Sequence, residues 1–280
     1  MRLDDLPPAH PAWSLLLGRT PLSASSADQR FSSTLYVPTG YREIAAPLPV
    51  LVAVHGTGRG VEGARDRFAA FAEAHGVAVL APLFPAAIDD PNDVHNYKSL
   101  LYRGIRFDEI LLGMLDEAAE RWRLDARTFL LAGFSGGGQF AHRFALLHPE
   151  RVRAVSVGAP GRVTLLDDEP WPLGIADVET QFGSSVDLAA VGRVAFQIVV
   201  GEDDHAEELL LAAAADPREA RAGATRVHRA QRLADELRSI GADVEFELVA
   251  GAGHEAHAMT EVVTTYLAQH VRAREKRDER

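Results

Sequence analysis

The stretch GFSGG at residues 133–137 decides how this sequence is interpreted. It follows an apolar run typical of a buried strand, residues 128–132, and it precedes residues 139–147, whose apolar positions have helical spacing. Glycines on both sides allow a sharp strand-to-helix turn, which lifts the serine hydroxyl clear of the sheet edge. The pattern predicts a nucleophile elbow with Ser135 as the candidate nucleophile. The alternative is a glycine-rich turn in which Ser135 only caps the following helix.

Composition limits the class of protein. With 280 residues and 47% hydrophobic content the chain can bury a large core, and we predict a single domain over residues 1–280. The 29 basic and 40 acidic side chains give a formal charge of −11, which repels phosphate backbones and anionic lipid headgroups. The sequence has no cysteine, so disulfides, cysteine nucleophiles and thiolate metal sites are excluded. Because of the negative net charge, we expect neither a nucleic acid nor a membrane as a partner.

The amino-terminal residues and the lengths of the apolar runs bear on the compartment. Residues 1–8 contain acids and prolines where a secretory signal has positive charge followed by an uninterrupted apolar stretch. No window approaches the roughly 20 apolar residues that would span a bilayer. These features predict a cytoplasmic location and leave the oligomeric state open.

Strand-like and helix-like segments alternate along the chain. Strands are predicted at residues 31–37, 49–54, 77–80, 128–132, 152–157, 194–200 and 244–249, and helices at residues 60–75, 105–122, 139–147, 225–240 and 255–271. This order predicts an α/β fold with a mostly parallel central sheet and helices on both faces. Ligands of such sheets bind at the carboxyl ends of the strands.

Two segments have no clear periodicity. Residues 82–99 contain three prolines and an acidic cluster, and we favour a surface loop there over a pocket cover. Residues 161–192 are equally consistent with an ordinary loop and with a small lid. Four residues of the first segment could be imagined as a metal cluster, but they lack a recognised ligand spacing, so no metal is expected. These four are Asp89, Asp90, Asp93 and His95.

A serine nucleophile needs a base, an acid that orients the base, and donors for the oxyanion. Among the 11 histidines, His254 follows the turn at residues 251–253 directly after the strand at residues 244–249, which puts it at the sheet edge where Ser135 emerges. His254 is therefore the candidate base, and the alternative is a histidine that caps the last helix. His257, one helical turn further on, is predicted to be structural.

Carboxylates follow another predicted strand at the same edge. The stretch GEDD at residues 201–204 comes directly after the apolar run that ends at residue 200. Either Asp203 or Asp204 could orient the imidazole and stabilise the imidazolium that forms during attack. The alternative is a solvated strand-to-helix turn.

The stretch HGTG at residues 55–58 closes the strand at residues 49–54. Its glycines let the backbone approach a substrate carbonyl closely, so the N–H of Thr57 and the N–H of Gly136 are candidate oxyanion donors. A phosphate-binding loop is the alternative, but the G-K-S/T ending and the dinucleotide glycine spacing are both missing.

Together HGTG, GFSGG, GEDD and GAGHE (residues 251–255), in this order, resemble the α/β-hydrolase superfamily of serine hydrolases over most of the chain. In that family the acid commonly lies three residues after a strand-ending glycine, which implies Asp204 rather than Asp203. The histidine ends a Gly-x-Gly-His turn, which implies His254. Within the superfamily the first two motifs look closest to bacterial esterases near the polyhydroxyalkanoate depolymerase and feruloyl esterase branch.

The expected activity is hydrolysis of a small carboxylic ester through an acyl-enzyme on Ser135, with no metal or cofactor. The same groups could cleave a thioester, an amide or a carbon–carbon bond, because the pocket selects the leaving group. A non-catalytic binding module on the same fold is the alternative from another class. Four aromatic residues are candidates for pocket contacts, although aromatic residues are more often core. These are Phe134, Tyr97, Trp171 and Phe182.

Overall fold

The computed structural model describes residues 2–205, 218 and 221–275. The strands are β1 (Gly18–Arg19), β2 (Ser23–Ala24), β3 (Ser32–Val37), β4 (Leu48–Val54), β5 (Ala78–Leu83), β6 (Leu101–Tyr102), β7 (Ile105–Arg106), β8 (Leu124–Phe134), β9 (Val152–Gly158), β10 (Ala195–Gly201) and β11 (Asp243–Val249). The α-helices are α1 (Trp13–Leu16), α2 (Val61–Asp66), α3 (Ala69–His75), α4 (Phe107–Arg121), α5 (Gly136–Leu147), α6 (Val178–Phe182), α7 (Leu188–Val191), α8 (Arg226–Ser239) and α9 (Thr260–Glu275). Short 3₁₀ turns are formed by Leu3–Asp5, Thr39–Arg42, Asn96–Ser99, Pro149–Arg151 and Ala256–Met259.

Within the described residues a 9-stranded sheet organises the fold, in the order β1-β3-β5-β4-β8-β9-β10-β11 with β2 added to β3. The strands from β5 across to β11 are parallel, whereas β3 is antiparallel to β5, β1 and β2. The predicted α/β fold with a mostly parallel sheet is therefore confirmed. Separately, β6 and β7 form a two-stranded hairpin.

The central strands are covered on both faces. All residues from Val50 to Val54 are fully buried, and so are Leu130 and Leu131 of β8. Successive side chains of a strand point to opposite faces, so complete burial requires helices on both sides of the sheet. This explains why these strands appear in the sequence as continuous apolar runs rather than as alternating patterns.

Several boundaries differ from the sequence prediction. The predicted helix over residues 60–75 is two helices, α2 and α3, because Phe68 leaves the helical region with φ −102° and ψ 9°. The apolar spacing continues through this break, since the predicted apolar positions on both sides of it are buried, so the pattern does not reveal it. The short strands β1, β2, β6 and β7 were not predicted, because two residues are too few to show a period.

Residues 161–192 pack against the rest of the molecule through buried side chains. Trp171 is 7% exposed and donates from Nε1 to the carbonyl of Ser99 at 2.7 Å. Buried Arg143 of α5 donates to Thr164 Oγ1 at 2.9 Å. The segment contains α6 and α7, and its role as a small lid stays a prediction.

Backbone packing without room for side chains fixes the junction between β8 and α5. A β-carbon placed on Gly133 would lie 2.1 Å from the carbonyl oxygen of Gly137, and one on Gly137 would lie 2.3 Å from the carbonyl oxygen of Val54. A β-carbon on Gly138 would lie 2.5 Å from the carbonyl oxygen of Gly158. These glycines let α5 start directly against β4 and β9.

No helix in residues 2–205, 218 or 221–275 is long and apolar enough to cross a membrane.

We predict that Gly137→Ala lowers the free energy of unfolding by about 3 kcal/mol, because the new methyl group collides with backbone that cannot move aside. Gly113→Ala in α4 is the control, since nothing lies within 4 Å of its β-carbon position. This control should raise stability by about 0.5–1 kcal/mol, as expected for alanine in a helix. Urea denaturation measures both, and equal effects of the two changes would contradict the packing argument.

Candidate active site

Ser135 occupies the junction between β8 and α5 in a strained conformation. Its φ is 56° and its ψ is −113°, a region that residues with a side chain rarely adopt. The N–H of Ser135 donates to the carbonyl of Gly158 at 2.8 Å, which anchors the turn to β9. The side chain of Ser135 makes no capping hydrogen bond to α5. The simple capping role considered from the sequence therefore has no support within the described residues.

His254 and Asp204 lie together at the carboxyl ends of β11 and β10. Nδ1 of His254 is 2.6 Å from Oδ2 of Asp204, which is 1% exposed. The turns that carry them pack backbone against backbone, because a β-carbon on Gly201 would lie 2.3 Å from the carbonyl oxygen of Ala252. An ionised carboxylate only accepts, so Nδ1 carries the proton and Nε2 is left as the acceptor.

The acid next to the imidazole is Asp204 and not Asp203. Asp203 is exposed, and its backbone N–H donates to the carbonyl of Ala252 at 2.9 Å. Burial acts to raise the pKa of Asp204, but the hydrogen bond from His254 and the positive charge of Arg226 outweigh it and hold the pKa below its ordinary value. Asp204 is therefore ionised throughout the neutral range.

The loop at residues 55–58 lies against the elbow. A β-carbon on Gly56 would be 3.9 Å from Cβ of Ser135, and one on Gly136 would be 3.0 Å from Oγ1 of Thr57. Gly136 is the first residue of α5, so its N–H has no partner inside the helix. In the described part of the chain, hydrogen bonds between loops, turns and strands include none from the N–H of Gly136 or Thr57. Both N–H groups are therefore without a backbone acceptor among the described residues and stay candidates for the oxyanion site.

His55 holds this loop in place. Its Nε2 accepts from the N–H of Phe84 at 3.0 Å, and its Nδ1 lies 2.8 Å from the carbonyl of Gly56. Nδ1 must therefore be the protonated nitrogen. Burial lowers the pKa of His55 to about 4, so the ring is neutral at physiological pH. Tyr97 adds a hydrogen bond from its hydroxyl to the carbonyl of His55 at 3.0 Å.

Comparison with known structures finds proteins that share the fold over most of the chain. A poly(3-hydroxybutyrate) depolymerase from Bordetella parapertussis superposes with a TM-score of 0.72 at 24% identity, covering 94% of this chain and 94% of that one. Poly(aspartic acid) hydrolase-1 from Sphingomonas sp. KT-1 gives a TM-score of 0.69 at 21% identity, covering 84% of this chain and 92% of that one. An S-formylglutathione hydrolase from Agrobacterium tumefaciens gives 0.56 at 18% identity, covering 86% and 89%. Neither a protein-family model nor a curated sequence matches this chain.

The protein has the α/β-hydrolase fold. The matched structures and the sheet topology agree on this, so the resemblance inferred from four short motifs is confirmed at the level of the fold. In the α/β-hydrolase fold a serine at a strand-to-helix turn, an acid and a histidine follow one another along the chain. Ser135, Asp204 and His254 have this order and lie at the carboxyl ends of β8, β10 and β11.

The described hydrogen bonds do not include one between the Ser135 hydroxyl and the His254 imidazole. The residue before Ser135 connects the two turns instead, because the ring of Phe134 packs against the imidazole of His254 with ring centroids 4.7 Å apart. Ser135 and His254 are both half-buried, so solvent or a ligand reaches them. Hydrogen bonds between a catalytic nucleophile and its base are often long before substrate binds and tighten in the substrate complex.

Arg226 is the second partner of Asp204 and was not predicted from the sequence. Its Nη1 donates to Oδ1 of Asp204 at 2.7 Å, and both side chains are almost completely buried. In the sequence Arg226 is one of several arginines in a polar helix, so nothing separates it from the exposed ones. The sequence feature that could point to Arg226 is its position directly after Thr225, the residue that caps α8. The Thr225 hydroxyl accepts a hydrogen bond from the N–H of His228 at 3.2 Å.

A cleft of about 610 Å³ opens beside the elbow, between the loop at residues 55–63 and the start of α9. Its lining residues include Gly56, Phe134 and His257. A larger cavity of about 1100 Å³ lies at the opposite sheet edge, against the starts of β4 and β8. Ser135 and the Asp204–His254 pair lie at the same sheet edge as the smaller cleft, next to its lining residue Phe134, although the three side chains themselves are not among its lining residues. We therefore take the smaller cleft as the candidate substrate site.

The aromatic residues considered for pocket contacts have different positions. Tyr97 and Trp171 are buried and bonded to backbone carbonyls, so they belong to the core around the site. Phe182 packs edge-on against Trp171, with ring centroids 5.2 Å apart. Phe134 is the one of these four that lines the cleft.

The acidic loop at residues 89–95 does not bring together a metal-ligand group in the described residues. Elsewhere in the described part of the chain, ligand atoms with suitable spacing come from Asp108, Glu109 and His148. The guanidinium of Arg106 binds this cluster, 2.6 Å from Asp108 and 3.2 Å from Glu109, and supplies the positive charge a cation would bring. This cluster is best explained as an ion-pair network.

Loss of the buried arginine should destabilise the protein strongly. We predict that Arg226→Met lowers the free energy of unfolding by about 3 kcal/mol at pH 7, because it leaves one oxygen of a buried carboxylate unpaired. Arg232→Met on the same helix removes an arginine that is 51% exposed and should change stability by less than about 1 kcal/mol. Chemical denaturation measures both, and equal losses would contradict the assigned role of Arg226.

Two buried neutral histidines should make the protein sensitive to acid. Burial lowers the pKa of His55 to about 4 and that of His142 to about 3, so below pH 6.5 the unfolded chain binds protons that the folded state does not. Stability is therefore unaffected by these groups above pH 6.5 and falls as pH decreases towards 4. We predict that His142→Asn reduces the slope of the unfolding free energy against pH by about 1.4 kcal/mol per pH unit, which corresponds to one bound proton. His10→Asn, at an exposed site, should leave this slope unchanged. Identical slopes in the three proteins would refute this origin.

Proposed function

We propose that the protein is a serine hydrolase that cleaves small carboxylic esters through an acyl-enzyme on Ser135. One observation carries the proposal: a buried carboxylate 2.6 Å from an imidazole stands at the sheet edge where a strained serine emerges. A purely structural turn needs neither the strain nor the acid–histidine pair. The hydrolase and esterase names of the structural neighbours support the same class.

In the proposed mechanism Nε2 of His254 accepts the proton of the Ser135 hydroxyl as the oxygen attacks the ester carbonyl. The Asp204 carboxylate keeps Nδ1 protonated and stabilises the imidazolium that results. His254 then returns the proton to the leaving alcohol. In the second half, His254 activates water to hydrolyse the acyl-enzyme, which restores the Ser135 hydroxyl and releases the acid.

The negative charge that develops on the carbonyl oxygen requires donors that are already oriented. The N–H groups of Thr57 and Gly136 are proposed for this role, and each such donor contributes about 3 kcal/mol in comparable sites. Their orientation depends on His55 and Tyr97, which fix the loop by hydrogen bonds. No step of this mechanism requires a metal or a cofactor.

Other leaving groups are possible with the same residues. One structural neighbour is named as a poly(aspartic acid) hydrolase and another as an S-formylglutathione hydrolase, which favours an amide and a thioester respectively as second candidates. The proposal also includes a single domain over residues 1–280, a small-molecule substrate and a cytoplasmic location. A non-catalytic binding module remains the alternative from another class.

A fluorophosphonate probe tests the proposal directly. We expect stoichiometric labelling of the folded protein and none in Ser135→Ala, because only an activated serine hydroxyl reacts. With p-nitrophenyl esters, Ser135→Ala and His254→Ala should each reduce kcat by about 10⁶, and Asp204→Asn by about 10⁴.

Asp203→Asn is the matched control for the acid. It removes the same charge one residue away, from an exposed side chain, and should leave kcat within about threefold of wild type. If Asp203→Asn were the damaging change, the acid would be wrongly assigned. Absence of labelling in folded wild-type protein would favour the binding module instead.

A further inference from the structure

Lys98 is a buried cation at the edge of the proposed oxyanion site. It lies in the 3₁₀ turn Asn96–Ser99 and is 6% exposed. A β-carbon on Gly136 would lie 2.9 Å from Cε of Lys98 and 3.0 Å from Oγ1 of Thr57. The Lys98 side chain therefore forms a wall of the space between Gly136 and Thr57.

No carboxylate of the described residues forms an ion pair with Lys98. Its ammonium lies 2.6 Å from Nδ1 of His95, an exposed residue whose imidazole must be neutral there in order to accept. Lysine has three N–H donors, so two are left for another acceptor. A buried cation without a counter-charge is costly, so a buried ammonium beside a site is a candidate for binding an anionic ligand.

The surroundings of Lys98 are also positively charged. Its pKa is lowered to about 8 by burial and by the charges of Arg59, Arg162 and Arg143, whereas Asp93 acts in the opposite direction. The pKa of His95 is lowered as well, by burial and by Lys98. This excess of positive charge occurs in a protein whose formal charge is −11. It favours an anionic group at this point of the site.

The neighbouring Arg59 and Arg143 donate hydrogen bonds to groups of the protein itself. The guanidinium of Arg59 donates to the carbonyls of Phe84, Thr57 and Val94 and to Oδ1 of Asn96. Arg143 donates to the carbonyl of Lys98 at 2.7 Å and to Thr164. These two arginines stabilise the turn that carries Lys98. The Lys98 ammonium, in contrast, has two N–H donors without a partner within the described residues.

The chain uses lysine sparingly. Of its 29 basic residues only Lys98 and Lys276 are lysines, and the rest are arginines. A lysine presents a compact point charge, whereas an arginine presents a broad planar fork. A compact cation suits the narrow space beside Gly136.

We propose that the Lys98 ammonium anchors a subsite for a carboxylate of the substrate, so that the preferred esters are anionic close to the scissile bond. This inference rests on the proposed esterase function and adds the chemical class of the substrate to it. The carboxylate would take up the two free N–H donors of Lys98 and neutralise its buried charge.

Matched phenyl esters test the subsite. Phenyl hexanoate is neutral, monophenyl adipate carries a carboxylate on the acyl chain, and 3-(hexanoyloxy)benzoate carries one on the alcohol. We expect kcat/KM to favour one of the anionic esters over phenyl hexanoate, and the better one shows which side of the ester faces Lys98. Lys98→Met should reduce this preference about tenfold to a hundredfold, the range for a charge-assisted hydrogen bond.

Arg232→Met is the control for net charge, because it removes one cation from an exposed position on α8. It should leave the preference unchanged. Equal loss of kcat/KM for neutral and anionic esters in Lys98→Met would overturn the proposal, since Lys98 would then serve the oxyanion or the fold. An unchanged preference in Lys98→Met would overturn it too.

The pH profile of wild-type protein gives an independent test that needs no variant. The ratio of kcat/KM for the anionic ester to that for the neutral ester should fall as pH rises through about 8, because Lys98 loses its proton. Titration of the residues common to both reactions cancels in the ratio. The charged and titratable groups that face Lys98 are Arg59, Arg143, Arg162, Asp93 and His95, and burial together with the charge of Lys98 lowers the pKa of His95, so its imidazole is neutral over this range. A ratio that is flat from pH 7 to pH 9.5 would contradict the subsite.

Failure of the subsite and failure of the proposed function are distinguishable. Hydrolysis of all three esters with no anionic preference would remove the subsite and keep the hydrolase. If no ester is cleaved and Ser135 is not labelled by the fluorophosphonate, both proposals fall. Calorimetric titration of Ser135→Ala with monomethyl adipate measures binding without turnover, and binding that survives Lys98→Met would count against the subsite.

Discussion

The close approach of backbone to backbone around Ser135 is the constraint on which the site depends. Gly133, Gly137 and Gly138 leave no room for a β-carbon, so α5 begins pressed between β4 and β9. This packing forces the serine into a conformation with φ 56° and holds its hydroxyl away from the helix. Such a conformation persists because the packed strands and helix around the turn over-determine it.

The sheet also determines which turns meet. Because β8, β10 and β11 are parallel, their carboxyl ends share one edge, and the residues that follow them lie close together although they are far apart in sequence. Asp204 and His254 are 50 residues apart and make a 2.6 Å hydrogen bond. The elbow and the loop at residues 55–58 meet at the same edge, since β4 pairs with β8.

Charge is distributed in an unusual way around this edge. Asp204 is a buried anion with two partners, Arg226 and His254, which keeps it ionised and rigid. Lys98 is a buried cation whose hydrogen-bond partner within the described residues is the neutral imidazole of His95. In a protein with a surplus of acidic residues, this contrast separates the carboxylate that is proposed to orient the base from the ammonium that is proposed to meet the substrate.

Apolar periodicity and glycine placement are local properties, so the sequence was sufficient to predict the α/β fold class, the bend at the glycine motifs and a shared sheet edge for Ser135, Asp204 and His254. The residues alone left Asp203 and Asp204 open and the family resemblance implied Asp204. The tertiary structure shows that Asp204 contacts the imidazole, because the direction of a side chain after a strand depends on how the turns pack. It alone identified Arg226, His55 and Lys98, since a buried charged residue has the same letter as an exposed one. The break between α2 and α3 was also hidden, because the apolar spacing continues across it and burial is set by the whole sheet.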